Sequence, residues 1–194
     1  MKRIFDLFFS ILGLVILSPL FLVISIVIKL NSKGSVFFIQ DRIGKDGKIF
    51  KIIKFRTMFI LQDINSTISF KGDNRVTKSG VFLRKYKLDE LPELFNVVSG
   101  TMSLVGPRPD VPGYADKLVG DDRYILKLLP GITGPASLKY SNEEEILATK
   151  SNPKAYNDEV IYPDKVKLNL DYYKHQTLWL DIKIIFATIF RVSY

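Results

Sequence analysis

The chain has 194 residues, a formal charge of +8, 47% hydrophobic residues and 25% charged residues, the composition of a folded protein and not of a disordered tail. It contains no cysteine and one histidine, His175, which excludes disulfides, thiolate metal sites and the paired-histidine motifs of zinc enzymes. Any bound metal is therefore expected to have oxygen ligands.

From Leu7 to Ile28 the chain carries no charge, with Lys2 and Arg3 before this segment and Lys29 and Lys33 after it. About 20 apolar residues suffice to cross a bilayer. A signal peptide is the weakest reading, because the apolar stretch exceeds the usual ~7–15 residues and no small-x-small cleavage site follows it. Between a straight span and a re-entrant helix, Ser18-Pro19 decides. Pro19 cannot donate to the Val15 carbonyl, and Ser18 can bond back to the preceding turn, which predicts a kink. Basic residues at both ends, where a spanning helix concentrates them on its cytoplasmic side, favour a re-entrant anchor. Residues 1–32 are assigned to this membrane anchor and residues 33–194 to a cytosolic, membrane-associated catalytic domain. The same clustering of charge beside the apolar segment, without a nucleic-acid-binding motif, argues against nucleic acid as a partner.

Val36-Phe37-Phe38-Ile39 and the run Ile49 to Phe55 are joined through Gly44 and Asp46-Gly47, a hairpin signal. In an extended strand Lys54 and Arg56 project from one face, either toward an anion or simply into solvent. Residues 60 to 80 read as a polar loop with a turn at Asp73-Asn74, leading into Val81-Phe82-Leu83-Arg84-Lys85.

Leu88-Asp89-Glu90-Leu91-Pro92 places two carboxylates side by side. Pro92 fits the first turn of a helix that runs to Ser99-Gly100, so the pair lies at a helix N-terminus, where it serves equally as a cap or as part of a phosphate site. Like charges repel, and a site that keeps both ionised usually holds a cation, Mg2+ shared with substrate phosphates being the common case. Arg108, between Pro107 and Pro109, has its backbone fixed on both sides and is a candidate bidentate phosphate clamp. Leu129 to Pro135, including Thr133, reads as a loop whose amides and hydroxyl suit a nucleotide, or as ordinary turns. Asn142 followed by Glu143-Glu144-Glu145 predicts a capped helix. Thr177 is the expected cap of a C-terminal amphipathic segment, Leu178 to Phe190, that is too charged to span and suits core or membrane interface. His175 has no partner motif and reads as a surface residue. The expected fold class is α+β, mostly helical with a small antiparallel β-hairpin, a kinked re-entrant N-terminal helix and interfacial amphipathic helices.

Taken in order, Gln40-x-Arg42-x-Gly44, Lys54-Phe55-Arg56-Thr57-Met58, Leu88-Asp89-Glu90-Leu91-Pro92, Met102 to Pro109 and Pro130-Gly131-Ile132-Thr133-Gly134 resemble the bacterial monotopic phosphoglycosyl transferases over nearly the whole chain. Two positions depart from the pattern: Lys87 where many members carry a small hydroxyl residue, and Thr101 where many carry aspartate. The resemblance implies transfer of a sugar 1-phosphate from a UDP-sugar to polyprenyl (undecaprenyl) phosphate with release of UMP, at the cytoplasmic face of the bacterial inner membrane. It implies Asp89 as covalent nucleophile, Glu90 and Asp89 as Mg2+ ligands, and Lys54, Arg56, Pro107, Arg108 and Thr133 at the substrate. Membrane lipid, downstream glycosyltransferases and a second copy of the chain are the further partners it suggests. Two other functions fit parts of the sequence: a glycosyltransferase releasing UDP, and a non-enzymatic membrane-anchored scaffold of a glycan assembly complex.

Overall fold

The computed structural model describes residues 1–59 and 75–192. Helix α1 (Lys2–Asn31) contains 30 residues, about 45 Å at the usual helical rise, and is long and apolar enough to cross a membrane. Asp6, Ser10, Ile24 and Ile28 are buried on its inner face, Gly13 faces Leu94, and the Phe21 ring meets Phe95 edge-on at 5.8 Å. The opposite face exposes Ile4, Phe8, Ile11, Val15, Leu22 and Ile26, a helical stripe of apolar side chains. At the middle of α1 the Ser18 hydroxyl donates to the Val15 carbonyl at 2.8 Å, replacing the N–H that Pro19 lacks. The helix continues through Pro19 as one element.

Both ends of α1 are fastened to the same body. Near its start, Arg3 donates to the Val97 and Val98 carbonyls at 2.7 and 3.2 Å, and Lys2 lies 2.6 Å from Asp181. Asp6 accepts from the Ser103 hydroxyl at 2.9 Å and the Leu104 N–H at 3.3 Å. Past its end, Arg56 donates to the Ser32 and Lys33 carbonyls at 2.8 and 2.7 Å. The Lys2-Arg3 pair that flanks the apolar segment is thus engaged by the protein itself, because the Val97 and Val98 carbonyls and the Asp181 carboxylate receive it.

Strands β1 (Phe37–Ile43) and β2 (Ile49–Phe55) form the expected antiparallel hairpin, Phe37 opposite Phe55 and Ile43 opposite Ile49. Asp46 and Gly47 turn it with φ of 58° and 76°, left-handed values that glycine and aspartate tolerate best. The Asp73-Asn74 turn expected from sequence lies outside the described residues. Helix α2 (Lys78–Lys85) starts inside the stretch read as loop, since Thr77 caps it by accepting from the Gly80 N–H at 2.9 Å.

A 3-10 turn (Leu88–Glu90) leads through Pro92 into α3 (Glu93–Ser99), which ends at Gly100 with φ 89°, as the sequence predicts. Buried Asn96 joins α3 to the hairpin: its Oδ1 accepts from the Ile53 N–H at 2.9 Å and its Nδ2 donates to the Lys51 carbonyl at 2.7 Å. Thr101 donates to the Asn96 carbonyl at 3.1 Å, so the unusual residue at this position supports that joint.

Strands β3 (Ser103–Val105) and β4 (Gly131–Thr133) pair in parallel, which the reading of Leu129 to Pro135 as a loop missed. Three-residue strands are too short to show a two-residue period, and their partner lies far away in sequence. The glycines carry the missing signal, since a Cβ on Gly131 would sit 2.1 Å from the Gly106 nitrogen and one on Gly134 2.3 Å from the Gly106 carbonyl oxygen.

The C-terminal part is helical: α4 (Pro135–Lys139), α5 (Glu143–Ala148), α6 (Pro153–Tyr156), a π-helical turn (Asn157–Ile161), α7 (Tyr162–His175) and α8 (Leu178–Phe190). Asn142 precedes α5 but its side chain does not cap it; Glu143 instead pairs with Lys165 of α7 at 2.7 Å. Thr177 does cap α8, accepting from the Leu180 N–H at 3.1 Å. α8 buries Asp181, Ile184 and Ala187 and exposes Trp179, Phe186, Ile189 and Phe190, the amphipathic division expected of it. His175 is exposed beside Asp171. The fold is α+β and mostly helical, with one small antiparallel hairpin and a long apolar N-terminal helix. Gly131→Ala should destabilise the protein by about 2 kcal/mol or more, because backbone atoms and not a movable side chain meet the added methyl group; chemical unfolding in detergent micelles measures this.

Candidate active site

Leu88 and Leu91 pack against a core of Ile24, Ile28, Phe55 and Leu83, which pins the 3-10 turn between them. Lys87 enters that turn in a left-handed conformation, φ 55°, and the intervening Asp89 and Glu90 line a cleft of about 1520 Å³. Residues of the hairpin, α2, α4, α5 and α7 line it together with Pro107 to Asp110. Single small-molecule sites commonly occupy ~300–1,000 Å³, so this cleft has room for more than one substrate group.

Glu90 is held by two cations, Lys54 Nζ at 2.8 Å and Arg108 Nη2 at 2.5 Å. Burial would raise its carboxyl pKa, but Arg108 and Lys54 overcome that and hold it well below the usual carboxylate range. Arg108 is pushed upward in turn, chiefly by the Glu90 charge. Asp89 has the opposite balance: burial and the neighbouring Glu90 raise it, with Lys54, Arg84 and Arg108 pulling back. Its carboxylate accepts no hydrogen bond among the described residues. Glu93, 1% exposed and 3.1 Å from Lys54, is raised to about 7 by burial, which the Lys54 charge only partly offsets.

The expected site residues separate into two groups. Asp89, Glu90, Lys54, Pro107 and Arg108 come together at the cleft. Arg56 also borders it, but its guanidinium points back to Ser32 and Lys33 and closes the end of α1, so it does not share an anion wall with Lys54. Thr133 is buried, its hydroxyl 2.6 Å from that of Thr188 in α8, because β4 turns it inward. Sequence reasoning missed Glu93, whose spacing of three and four residues from Glu90 and Asp89 is the signal for a shared helical face. It also missed Asp110, raised to about 6 by burial, and Arg84, whose Nε donates to the Thr57 hydroxyl at 2.9 Å.

Among the described residues no three His, Cys, Asp or Glu side chains converge as a metal cage. Asp89 and Glu90 nevertheless offer hard oxygen donors of the kind Mg2+ uses when phosphates and water complete its shell, and Asp89 is not engaged elsewhere. The donor set therefore fits a metal shared with substrate and not one enclosed by protein.

The sequence model of the family described as bacterial sugar transferase matches residues 1–194, and the chain belongs to that family. It is 39% identical over 98% of its length to a UDP-glucose:undecaprenyl-phosphate glucose-1-phosphate transferase of Klebsiella pneumoniae, covering 39% of that protein. It is 35% identical to a UDP-N-acetylgalactosamine-undecaprenyl-phosphate N-acetylgalactosaminephosphotransferase of Aeromonas hydrophila, covering 97% of this chain and 42% of that one. The exopolysaccharide production protein ExoY of Sinorhizobium fredii is also 35% identical, with 97% of this chain matching 83% of it. The chain thus spans about two fifths of the first two relatives and most of the third.

Arg56→Ala should lower stability by about 2–4 kcal/mol in urea unfolding, since it removes a buried guanidinium that makes three hydrogen bonds. Glu93 binds its proton more tightly folded, about 7, than its ordinary 4.5, so its contribution to stability is complete below pH 4.5 and is lost as pH rises through 7. The melting temperature of the unsubstituted protein should therefore fall relative to Glu93→Gln across that interval.

Proposed function

We propose that the chain is the catalytic unit of a phosphoglycosyl transferase that moves a sugar 1-phosphate from a UDP-sugar to undecaprenyl phosphate and releases UMP. One observation carries the reading: half-buried Asp89 accepts no hydrogen bond among the described residues, beside Glu90, whose Oε1 is held by both Lys54 and Arg108. A carboxylate left unengaged is a better candidate nucleophile than its clamped neighbour. The Klebsiella and Aeromonas relatives, named as sugar phosphotransferases of undecaprenyl phosphate, support the transfer to that acceptor.

In the first half-reaction an Asp89 oxygen attacks the sugar-bearing phosphorus, and the bond from that phosphorus to the oxygen of UMP breaks. UMP leaves with the electron pair, and the phosphosugar stays on the aspartyl oxygen. In the second, an oxygen of the lipid phosphate attacks the same phosphorus, the aspartyl bond breaks, and the Asp89 carboxylate is restored. Arg108 and Lys54 sit where they can transfer part of their attraction from Glu90 to the diphosphate. Asp89 and Glu90 would hold Mg2+, which when bound neutralises diphosphate charge and weakens its repulsion of the incoming carboxylate.

The acceptor's prenyl tail remains in lipid, so the cleft must stay near the headgroups. A helix that crosses the bilayer carries its ends to opposite sides, whereas both ends of α1 grip one body. We read α1 accordingly as a one-sided anchor, with its outward stripe and the exposed face of α8 in lipid, at the cytoplasmic face of the inner membrane.

Purified protein with Mg2+ and a UDP-sugar, but no lipid acceptor, should release UMP up to one equivalent and acquire a phosphosugar on Asp89 detectable by peptide mass. Asp89→Asn should abolish both, and Arg108→Ala should slow release about 10²- to 10³-fold. UDP as the product would establish a glycosyltransferase instead. Full turnover by Asp89→Asn with both substrates present would remove the proposed nucleophile.

A further inference from the structure

The α4 and α7 side of the cleft contains polar groups that the transfer of phosphate does not use. Asn169 is 6% exposed, and its Oδ1 has no hydrogen-bond partner among the described residues. Ser137 Oγ and Arg42 Nε are likewise buried and unpartnered, and all three residues line the same cleft. Leaving a buried polar atom unpaired costs about 1–3 kcal/mol, so their convergence calls for a ligand with matching groups. Asp110 lies among them, with one carboxylate oxygen accepting from the Tyr162 hydroxyl at 3.3 Å and the other without a hydrogen bond among the described residues.

We propose that Arg42, Asp110, Ser137, Tyr162 and Asn169 form the subsite for the sugar of the sugar nucleotide. The proposal rests on the transferase reading above and adds where the sugar lies and which side chains read it. Donor and acceptor chemistry selects a hydroxyl-bearing ring over phosphate and base; the ribose carries two hydroxyls where a hexose carries more, and the comparison with UDP below separates the two. Asp110 and Asn169 present two open acceptors, which need two donors. A phosphate at neutral pH offers almost none, and the uracil edge offers a single N–H between two carbonyls. A hexose offers several hydroxyls, each of which both donates and accepts, so it can satisfy Asp110 and Asn169 while accepting from Arg42 Nε.

Position agrees with chemistry. Arg108 meets Glu90, and Asp110 follows two residues later, at most about 7 Å along the chain. That is the span from a phosphate to the far side of the sugar attached to it. Between them the Pro109 carbonyl accepts from Arg42 Nη1 at 3.1 Å, which fixes the guanidinium beside the path. Ile43 and Val166, part of one buried apolar cluster, border the same side and can cover the C–H face of a ring. The wall itself is already braced, because Lys139 and Tyr140 of α4 both bond Asp164 of α7 at 2.7 Å.

The test compares UDP with UDP-glucose and UDP-N-acetylgalactosamine by calorimetric titration of the full chain in detergent micelles. An Asp89→Asn background prevents consumption of the sugar nucleotides. The unsubstituted subsite should bind one of the two sugar nucleotides tighter than UDP. Ser137→Ala and Asn169→Ala should each weaken that sugar nucleotide by about 3- to 10-fold and leave UDP within twofold. Equal weakening of UDP would place the uridine there and overturn the proposal, as would unchanged binding of every ligand by folded variants or the absence of any preference over UDP. Melting temperature distinguishes folded variants from failed ones, and the nearly isosteric Asn169→Leu variant, which removes the amide without opening a cavity, repeats the comparison if Asn169→Ala does not fold. The transferase reading fails separately, by the absence of UMP release from protein with Asp89 intact.

Discussion

Everything at the cleft depends on Glu90 being held by Lys54 and Arg108 at once. The three residues come from the hairpin, the turn before α3 and the proline-bracketed segment after β3, so a single carboxylate joins three separate parts of the chain. Its side chain is 12% exposed and that of Lys54 15%, which limits screening of this pair by water, while Arg108 at 44% remains open to solvent. That difference gives the two cations different duties. Lys54, also near Glu93, is confined between carboxylates, whereas Arg108 has free donors facing the cleft and is the more available partner for an incoming anion.

The same segment that carries the carboxylates is built into the anchor. Asp89 and Glu90 lead directly into α3, and α3 lies against α1 through Leu94 and Phe95, with Arg3 closing its last carbonyls. A guanidinium at a helix C-terminus is favourable both as a donor to unpaired carbonyls and as a charge opposing the dipole. The apolar helix and the reactive turn are consequently two faces of one packing unit. Displacing α1 would disturb the element that positions the dyad, without any change to the dyad itself.

Local chemistry was legible in the sequence where one residue type imposes its own geometry. Pro92 and Gly100 bracketed α3, Asp46-Gly47 turned the hairpin, and Thr177 capped α8, each through a backbone preference that acts without tertiary help. The acidic pair and Arg108 also stood out in the sequence, and the structure brings them together at the cleft. What spacing could not supply was direction. Lys54 and Arg56 are two apart, yet Arg56 lies beyond the end of β2 and turns to the unpaired carbonyls after α1. Thr133 looked exposed in a glycine-rich run, but the close approach of Gly106 and Gly131 buried that run as a strand. The unpartnered atoms of Ser137 and Asn169 come from different helices, and no single stretch of sequence displays their convergence.

Asn96 fills two of the hydrogen-bonding positions that β2 presents on the side away from β1, receiving the Ile53 N–H and supplying a donor to the Lys51 carbonyl. Its amide copies what a neighbouring strand would offer there. A two-stranded hairpin otherwise leaves an open edge on which another chain could add itself. By stopping that edge at Lys51 and Ile53 with a side chain from α3, the protein blocks strand addition there, so the amide that joins α3 to the hairpin also keeps other copies off it.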